Sequence, residues 1–397
     1  MRIRVLSAVT AALLASAGTL TVAATGATAA PSPTGAAHAA RVCARPSAGM
    51  AGCHALVRTD ATGKPQATGT PAGYGPADLQ SAYKLAGAAS GGRTVAIVDA
   101  YNDPTAEADL GVYRAQYGLP ACTTANGCFH KVSQTGSSTS LPRTNTGWAQ
   151  EISLDLDMVS ATCPDCHILL VEANSASFAD LGTAVNQAAR TAGVVAISNS
   201  YGGSDAADST YGSYYNHPGI AVTASTGDNG YQGGSYPASS SYVTAVGGTS
   251  LTRSGTTRGW TETAWSGAGA GCSTYNAALA AAATFDTGCA KRAMADVSAV
   301  ADPNTGVAVY DSTANQGVSG WLVFGGTSAS APIIGSVYAL SGNTSGYANA
   351  LPYQHSSALF DVTSGSDGTC PTIQWCTART GWDGPTGLGT PNGVSAF

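Results

Sequence analysis

Apolar positions along this chain alternate, from about Tyr74 onward, between short continuous runs and longer stretches with helical spacing. The runs Thr94-Val-Ala-Ile-Val98, His167-Ile-Leu-Leu-Val171, Val194-Val-Ala-Ile197, Ile220-Ala-Val-Thr223 and Tyr242-Val-Thr-Ala-Val246 are rich in β-branched residues and read as buried strands. Between them, Asp103-Pro104 opens a helix that closes near Gly118, and Ser177 with Asp180 caps another that runs to Gly193. Such alternation predicts an α/β fold with a mostly parallel central sheet, since parallel strands need crossover helices. A further apolar run, Trp321-Leu322-Val323-Phe324, leads through Gly325-Gly326-Thr327-Ser328-Ala329-Ser330-Ala331-Pro332 into a helix-like segment from Ile333 to Leu340.

The first residues follow a different pattern. Met1-Arg2-Ile3-Arg4 precedes an alanine-rich apolar stretch to about Gly26 and then Ala27-Thr28-Ala29-Ala30-Pro31, which reads as a secretory signal peptide spanning residues 1–29. A cut after Ala29 keeps Pro31 away from the scissile bond. Residues 30–73 are rich in Ala, Pro, Gly and Thr and are expected to be a short leader or linker with a local disulfide. Residues 74–397 are expected to form one large domain. No later stretch is long and apolar enough to span a bilayer, so no membrane association is expected once the signal is removed.

Cysteine usage agrees with export. The ten cysteines form sequence-local pairs: Cys43/Cys53, Cys122/Cys128, Cys163/Cys166, Cys272/Cys289 and Cys370/Cys376. Nearest-neighbour disulfides are predicted; the alternative for Cys163-Pro164-Asp165-Cys166-His167 is a metal or redox pair. Charged residues are 10% of the chain, with 17 Lys and Arg against 23 Asp and Glu. So few basic groups limit the self-repulsion that builds up when carboxylates are protonated, which suits an acid environment. The absence of a basic stripe argues against nucleic acid as a partner.

A strand that delivers Ser328 to a helix N-terminus through small residues is a way to present a nucleophile. Such a serine needs a base, yet the six histidines (His38, His54, His130, His167, His217, His355) sit in leader, loop or strand-edge contexts and none lies in a His-Gly-Thr-His type segment. Instead, Gly147 to Val159 reads as a helix with Glu151 and Asp155 one turn apart on one face. Like charges at that spacing disfavour joint ionisation, so the pair shares a proton and works as base and orienter in acid, where an imidazole would be protonated. Asp228, in Ala224-Ser225-Thr226-Gly227-Asp228-Asn229-Gly230, follows the Ile220 to Thr223 strand. Kept protonated, it could donate a hydrogen bond to a developing oxyanion, as a neutral Asp does in ketosteroid isomerase.

Together these residues resemble the sedolisin, or serine-carboxyl peptidase, family over nearly everything after Tyr74. The family's Glu-x-x-x-Asp pair matches Glu151 and Asp155, its Gly-Thr-Ser nucleophile matches Ser328, and its Ser-Gly-Asp aspartate matches Asp228. Ser198-Asn199-Ser200-Tyr201-Gly202, Trp265-Ser266-Gly267 and Asp296-Val297-Ser298-Ala299 are similar too. The resemblance implies a subtilisin-like three-layer fold, a secreted monomeric endopeptidase acting on unfolded or extended polypeptides at low pH, and one structural Ca²⁺. Glu151 would be the general base for an acyl-enzyme on Ser328, with Asp155 orienting it and Asp228 in the oxyanion hole. Calcium would be held by Asp361, Val362, Arg379, Gly381 and Asp383, although glycine is common in the family at the position of Arg379. Sedolisins usually carry a large N-terminal activation domain, in whose place the short leader is expected here. Specificity is expected from loops such as Ser200 to Ser204 and Ser266 to Cys272.

Two rival arrangements remain at this level. One keeps the subtilisin-like fold but pairs Asp99 with a histidine; Asp99 and Asp103 otherwise brace the strand end and cap the following helix. The other is a secreted binding protein on a catalytically inactive peptidase scaffold.

Overall fold

Strands buried on both faces make the centre of the fold, as the continuous apolar runs require. The computed structural model describes residues 38–343 and 345–397, so the expected signal peptide lies outside the described residues. The central sheet has eight strands. Its order is Trp260–Ala264, Thr244–Arg253, Ala221–Ser225, Val194–Asn199, Thr94–Ala100, His167–Ala173 and Phe129–Ser133, with Val297–Val300 also paired to Thr244–Arg253. Every pairing is parallel except that of Thr244–Arg253 with Trp260–Ala264. Helices layer this sheet in the expected subtilisin-like three-layer α/β arrangement.

Element bounds differ modestly from the sequence expectations. The helix expected from Asp103-Pro104 spans Ala106–Gln116, because Asp103 turns the chain first, its Oδ1 accepting from Thr105 N at 3.0 Å. The acidic helix runs Thr146–Thr162, capped by Asn145, whose side chain accepts from Gly147 N and Trp148 N. The strand expected at Tyr242 starts at Thr244 and continues to Arg253, where it turns from parallel to antiparallel partners.

The helix after the Gly-Thr-Ser run is longer than its apolar part. It spans Thr327–Ser341 and is buried on all sides through Leu340, as expected of a helix apolar all round. It packs on the Thr146–Thr162 helix and on five strands of the central sheet. Pro332 within it has no N–H to give to Ser328 four residues earlier. That carbonyl accepts instead from Ser200 Oγ at 3.3 Å.

All five sequence-local disulfides are present, leaving no free thiol for a metal or redox role at Cys163 and Cys166. Beside the Val297–Val300 strand, Arg292 and Asp296 form a buried bidentate pair, with contacts of 2.7 and 2.5 Å. Tyr353 Oη and Ala245 N also donate to Asp296, so its oxygens are satisfied as a buried charge requires.

Residues 38–73 keep their local disulfide but belong to the same compact unit as the rest of the described chain. His38–Arg41 pairs with Leu56–Thr59, which pairs with Val318–Gly325, all antiparallel. Gly52–Cys53 pairs antiparallel with Tyr201–Ser204. Ala55 and Val57 are buried, so this stretch is stabilised by partners far along the chain despite its weak periodicity. Among the described residues no helix is long and apolar enough to cross a membrane.

Candidate active site

Ser328 is the second residue of its helix, where backbone N–H groups have no intrahelical acceptor. Asp228, on the loop after the Ala221–Ser225 strand, meets this helix end: its Oδ1 accepts from Thr327 N at 2.8 Å and from Thr327 Oγ1 at 3.0 Å. Its Oδ2 has no hydrogen-bond partner. Burial pushes the Asp228 carboxyl up to about 7, against the opposing pull of the Thr327 N–H and the Arg41 charge. Gly326 precedes the helix at φ 93°. A Cβ there would lie 1.9 Å from His54 O and 2.9 Å from Asp228 Oδ2, so glycine lets the chain pass between them.

Glu151 and Asp155 project from the Thr146–Thr162 helix into the same buried region, and neither is exposed to solvent. Asp155 Oδ1 accepts from Ser200 Oγ at 2.8 Å. Both Glu151 oxygens lack a hydrogen-bond partner, while Ser328 Oγ donates to Ser200 O at 3.2 Å. Ser328 nevertheless lies near enough to favour the ionised form of Glu151. Burial, reinforced by the charges of Asp155 and Asp99, holds Glu151 well above the usual carboxylate range, and burial with Asp99 does the same to Asp155. Three carboxyls therefore share one desolvated site and titrate together.

Asp99 is the member that sequence reasoning assigned elsewhere. It is the penultimate residue of the Thr94–Ala100 strand, with both oxygens buried and unpartnered, so it braces nothing by hydrogen bonding. Burial and the neighbouring Glu172 push it up to about 8. Its place in the buried run Thr94 to Ala100 was the available signal, since a charge in a continuous apolar strand is costly without a purpose. Asp103, by contrast, does turn the chain ahead of the next helix. It also clusters with Asp109 and Asp311 in a buried group whose ligand atoms lie within 4.8 Å of one another.

No histidine ring among the described residues hydrogen-bonds to Ser328 or Asp99. The nearest to the site, His54, points its Nδ1 at Ser225 Oγ at 2.8 Å, and burial, then Arg41, pushes its pKa down to about 3. Its backbone carbonyl, not its ring, faces the serine: Ser328 N donates to His54 O at 3.4 Å. Beside this point lies a polar cleft of about 360 Å³ bordered by His54, Gly202, Asp228, Gly233, Gly269 and Ala270. Both loops expected to govern specificity therefore reach it.

No family model matches the chain. Among curated proteins it is 29% identical over 384 residues to kumamolisin from Bacillus sp. (strain MN-32), covering 86% of this chain and 66% of that one. It is also 38% identical over 109 residues to the tripeptidyl-peptidase sed1 of Aspergillus fumigatus, covering 25% of this chain and 15% of that one. Among solved structures, a Pseudomonas sedolisin, a serine-carboxyl proteinase complexed with pseudo-iodotyrostatin, superposes with a TM-score of 0.67 at 24% identity, covering 82% of this chain and 96% of its own. The chain is thus similar in sequence to kumamolisin and in fold to this sedolisin. Sphericase, at 17% identity and a TM-score of 0.52 over 79% of this chain and 96% of its own, shares the fold alone. The sedolisin-like region here spans just under two thirds of the length of kumamolisin.

The proposed calcium ligands also meet. Asp361 and Asp383 lie beside one another, and burial, with Asp361 contributing, pushes Asp383 up to about 7. Gly381 N donates to Asp361 at 3.0 Å and Arg379 N to Asp383 at 3.1 Å, folding the loop around the two acids. Among the described residues neither acid forms an ion pair, and the carbonyls of Val362, Arg379 and Gly381 accept no hydrogen bond.

Proposed function

We propose that this protein is a secreted, acid-acting serine-carboxyl endopeptidase that cleaves unfolded or extended polypeptides through an acyl-enzyme on Ser328. What supports the reading is the gathering of Asp155, Asp228 and Ser328 about Glu151, with no histidine ring among the described residues hydrogen-bonded to the serine hydroxyl. As Ser328 Oγ attacks a substrate carbonyl, its proton passes to Glu151, whose oxygens are free to accept it. Asp155, anchored by Ser200, orients Glu151 and shares the proton load with Asp99. The high proton affinity of Glu151 makes it a strong base in the fraction of molecules where it is ionised. Protonated Asp228 and the Ser328 N–H then hold the oxyanion, and Glu151 returns the proton to the leaving amine.

Acid favours this arrangement because Asp228 must carry a proton to donate. Cleavage of denatured casein should therefore be confined to acid, declining as pH rises through about 7, and should vanish in Ser328→Ala. Activity that peaks near neutrality would instead indicate an imidazole base, whose pKa is about 6.5. The disulfides support an oxidising destination outside the cell.

A Ca²⁺ ion fits the Asp361, Val362, Arg379, Gly381 and Asp383 loop: two adjacent carboxylates without a basic partner and three free carbonyls are hard oxygen donors. The ion would neutralise the paired acids and fix the loop, with no part in the reaction. Adding Ca²⁺ at roughly millimolar concentration should raise the melting temperature of chelator-treated protein, and Asp361→Ala should lose that response. An equal response in the variant would remove these ligands from consideration.

A further inference from the structure

Outside the site of Ser328, three carboxylates from separate elements meet in the interior. Asp103 follows the central strand Thr94–Ala100, and Asp109 lies in the helix Ala106–Gln116. Asp311 lies in the strand Val307–Asn315, which pairs antiparallel with the Val318–Gly325 strand leading to Ser328. Asp103 and Asp311 have no solvent exposure, and Asp109 is also buried. One oxygen from each acid lies within 4.8 Å of the other two. Burying three acids together is costly unless something offsets their charge.

The protein's own donors satisfy only part of this group. Between Asp311 and Asn315 the hairpin register shifts, which frees backbone N–H groups from the ladder. Ser312 N donates to Asp109 Oδ2 at 2.9 Å and Thr313 N to Asp311 Oδ1 at 3.1 Å, while Thr105 N donates to Asp103 Oδ1 at 3.0 Å. The Oδ2 atoms of Asp103 and Asp311 are left buried with no hydrogen-bond partner. No basic side chain among the described residues forms an ion pair with any of the three acids. Lys131 Nζ is held instead by Asn102 Oδ1 at 2.9 Å, Asp103 O at 2.6 Å and Glu172 Oε1 at 3.6 Å. Arg114, on the same helix as Asp109, donates to Pro120 O, Ser160 Oγ and Pro164 O. What the group lacks is a positive charge.

Two oxygens on opposite sides of a Ca²⁺ ion, each at about 2.4 Å, are about 4.8 Å apart, so one oxygen from each acid fits on a single coordination sphere. Mg²⁺ draws its ligands closer and keeps several waters, which suits an enclosed site less well. The Thr105 and Thr313 hydroxyls, 2.9 Å apart, add neutral oxygens at the same place: Thr105 Oγ1 is 2.7 Å from Asp109 Oδ2 and Thr313 Oγ1 is 3.5 Å from Asp103 Oδ1. We propose that Asp103, Asp109 and Asp311 hold a second Ca²⁺ ion, separate from the one at the Asp361 and Asp383 loop. It pins the hairpin that leads to Ser328 to the end of a central strand and to the helix that follows, and takes no part in the reaction. Asp361 is exposed, whereas all three of these acids are buried. The second ion therefore leaves only when the hairpin opens, and survives chelator treatment that empties the exposed loop.

The experiment produces the full chain in medium containing Ca²⁺, dialyses it against a chelator near neutral pH, and measures calcium per chain by inductively coupled plasma mass spectrometry. The expected result is about one retained calcium in wild type and in Asp361→Ala, against less than about a tenth of one in Asp311→Asn and in Asp109→Asn. Asp361→Ala removes a ligand of the other loop, so calcium that it keeps lies elsewhere, and this arm needs neither of the other variants to fold. A wild type that retains no calcium, or another metal in its place, overturns the inference. So does calcium that Asp361→Ala loses, or that either Asp311→Asn or Asp109→Asn keeps. If neither of those two variants folds, anomalous scattering from calcium in crystals of Asp361→Ala decides: a peak among the three acids upholds the site, and a peak anywhere else overturns it.

Discussion

Glu151→Gln is expected to lower turnover on an unfolded polypeptide by roughly 10³-fold, about 4 kcal/mol of transition-state stabilisation, while the fold persists. Gln is nearly isosteric but accepts no proton at catalytic pH, so Ser328 loses its base. Stability should move the other way. Glu151 closes no hydrogen bond and sits in a desolvated cluster with Asp155 and Asp99, so removing its charge relieves repulsion. An unchanged or higher melting temperature with lost turnover separates catalysis from folding. Retention of a tenth or more of wild-type turnover, roughly within 1.4 kcal/mol, would remove Glu151 from the role of base.

The folded chain is expected to become more stable as pH falls from about 8 to about 5, the reverse of ordinary acid denaturation. Burial pushes Asp99 and Asp367 up to about 8 and Glu172 and Asp228 up to about 7, and holds Glu151, Asp155 and Asp157 well above their usual range. A group whose folded pKa lies above its unfolded value of about 4 stabilises the fold fully below that value, and the contribution is lost as pH rises through the folded pKa. A tenfold gain in proton affinity on folding corresponds to about 1.4 kcal/mol, so even part of the gain at these carboxyls sums to several kcal/mol. His54 opposes the trend: its folded pKa of about 3 is below the unfolded value, so its contribution is present above about 6.5 and fades as pH falls toward 3. Several carboxyls outweigh one imidazole. Melting temperatures at pH values of about 8, 6.5 and 5 check this, and a maximum near neutrality would contradict it.

Both predictions concern groups that differ in how readable they were. Glu151 and Asp155 fall on one helix face by their spacing, and Ser328 sits where an apolar strand gives way to small residues and a helix, so local pattern was enough to single them out. The disulfides were equally local, the widest joining residues 17 apart. Asp99 was misassigned because its companions come from the Thr146–Thr162 helix and the His167–Ala173 strand, and nothing within Thr94 to Ala100 names them. His54 was unreadable for the same reason in stronger form: its ring meets Ser225 across 171 residues of sequence.

The sequence by itself determined the α/β alternation, the five cysteine pairings, and the residue types set one turn apart or at a helix start. Those are features of period and short-range geometry, which the backbone fixes within a few residues. The tertiary structure alone decided that three carboxyls share one dry site, and that a stretch with little apolar periodicity enters the groove as a strand. Desolvation and strand-edge pairing depend on what distant segments bring to the same place, and no local pattern records that.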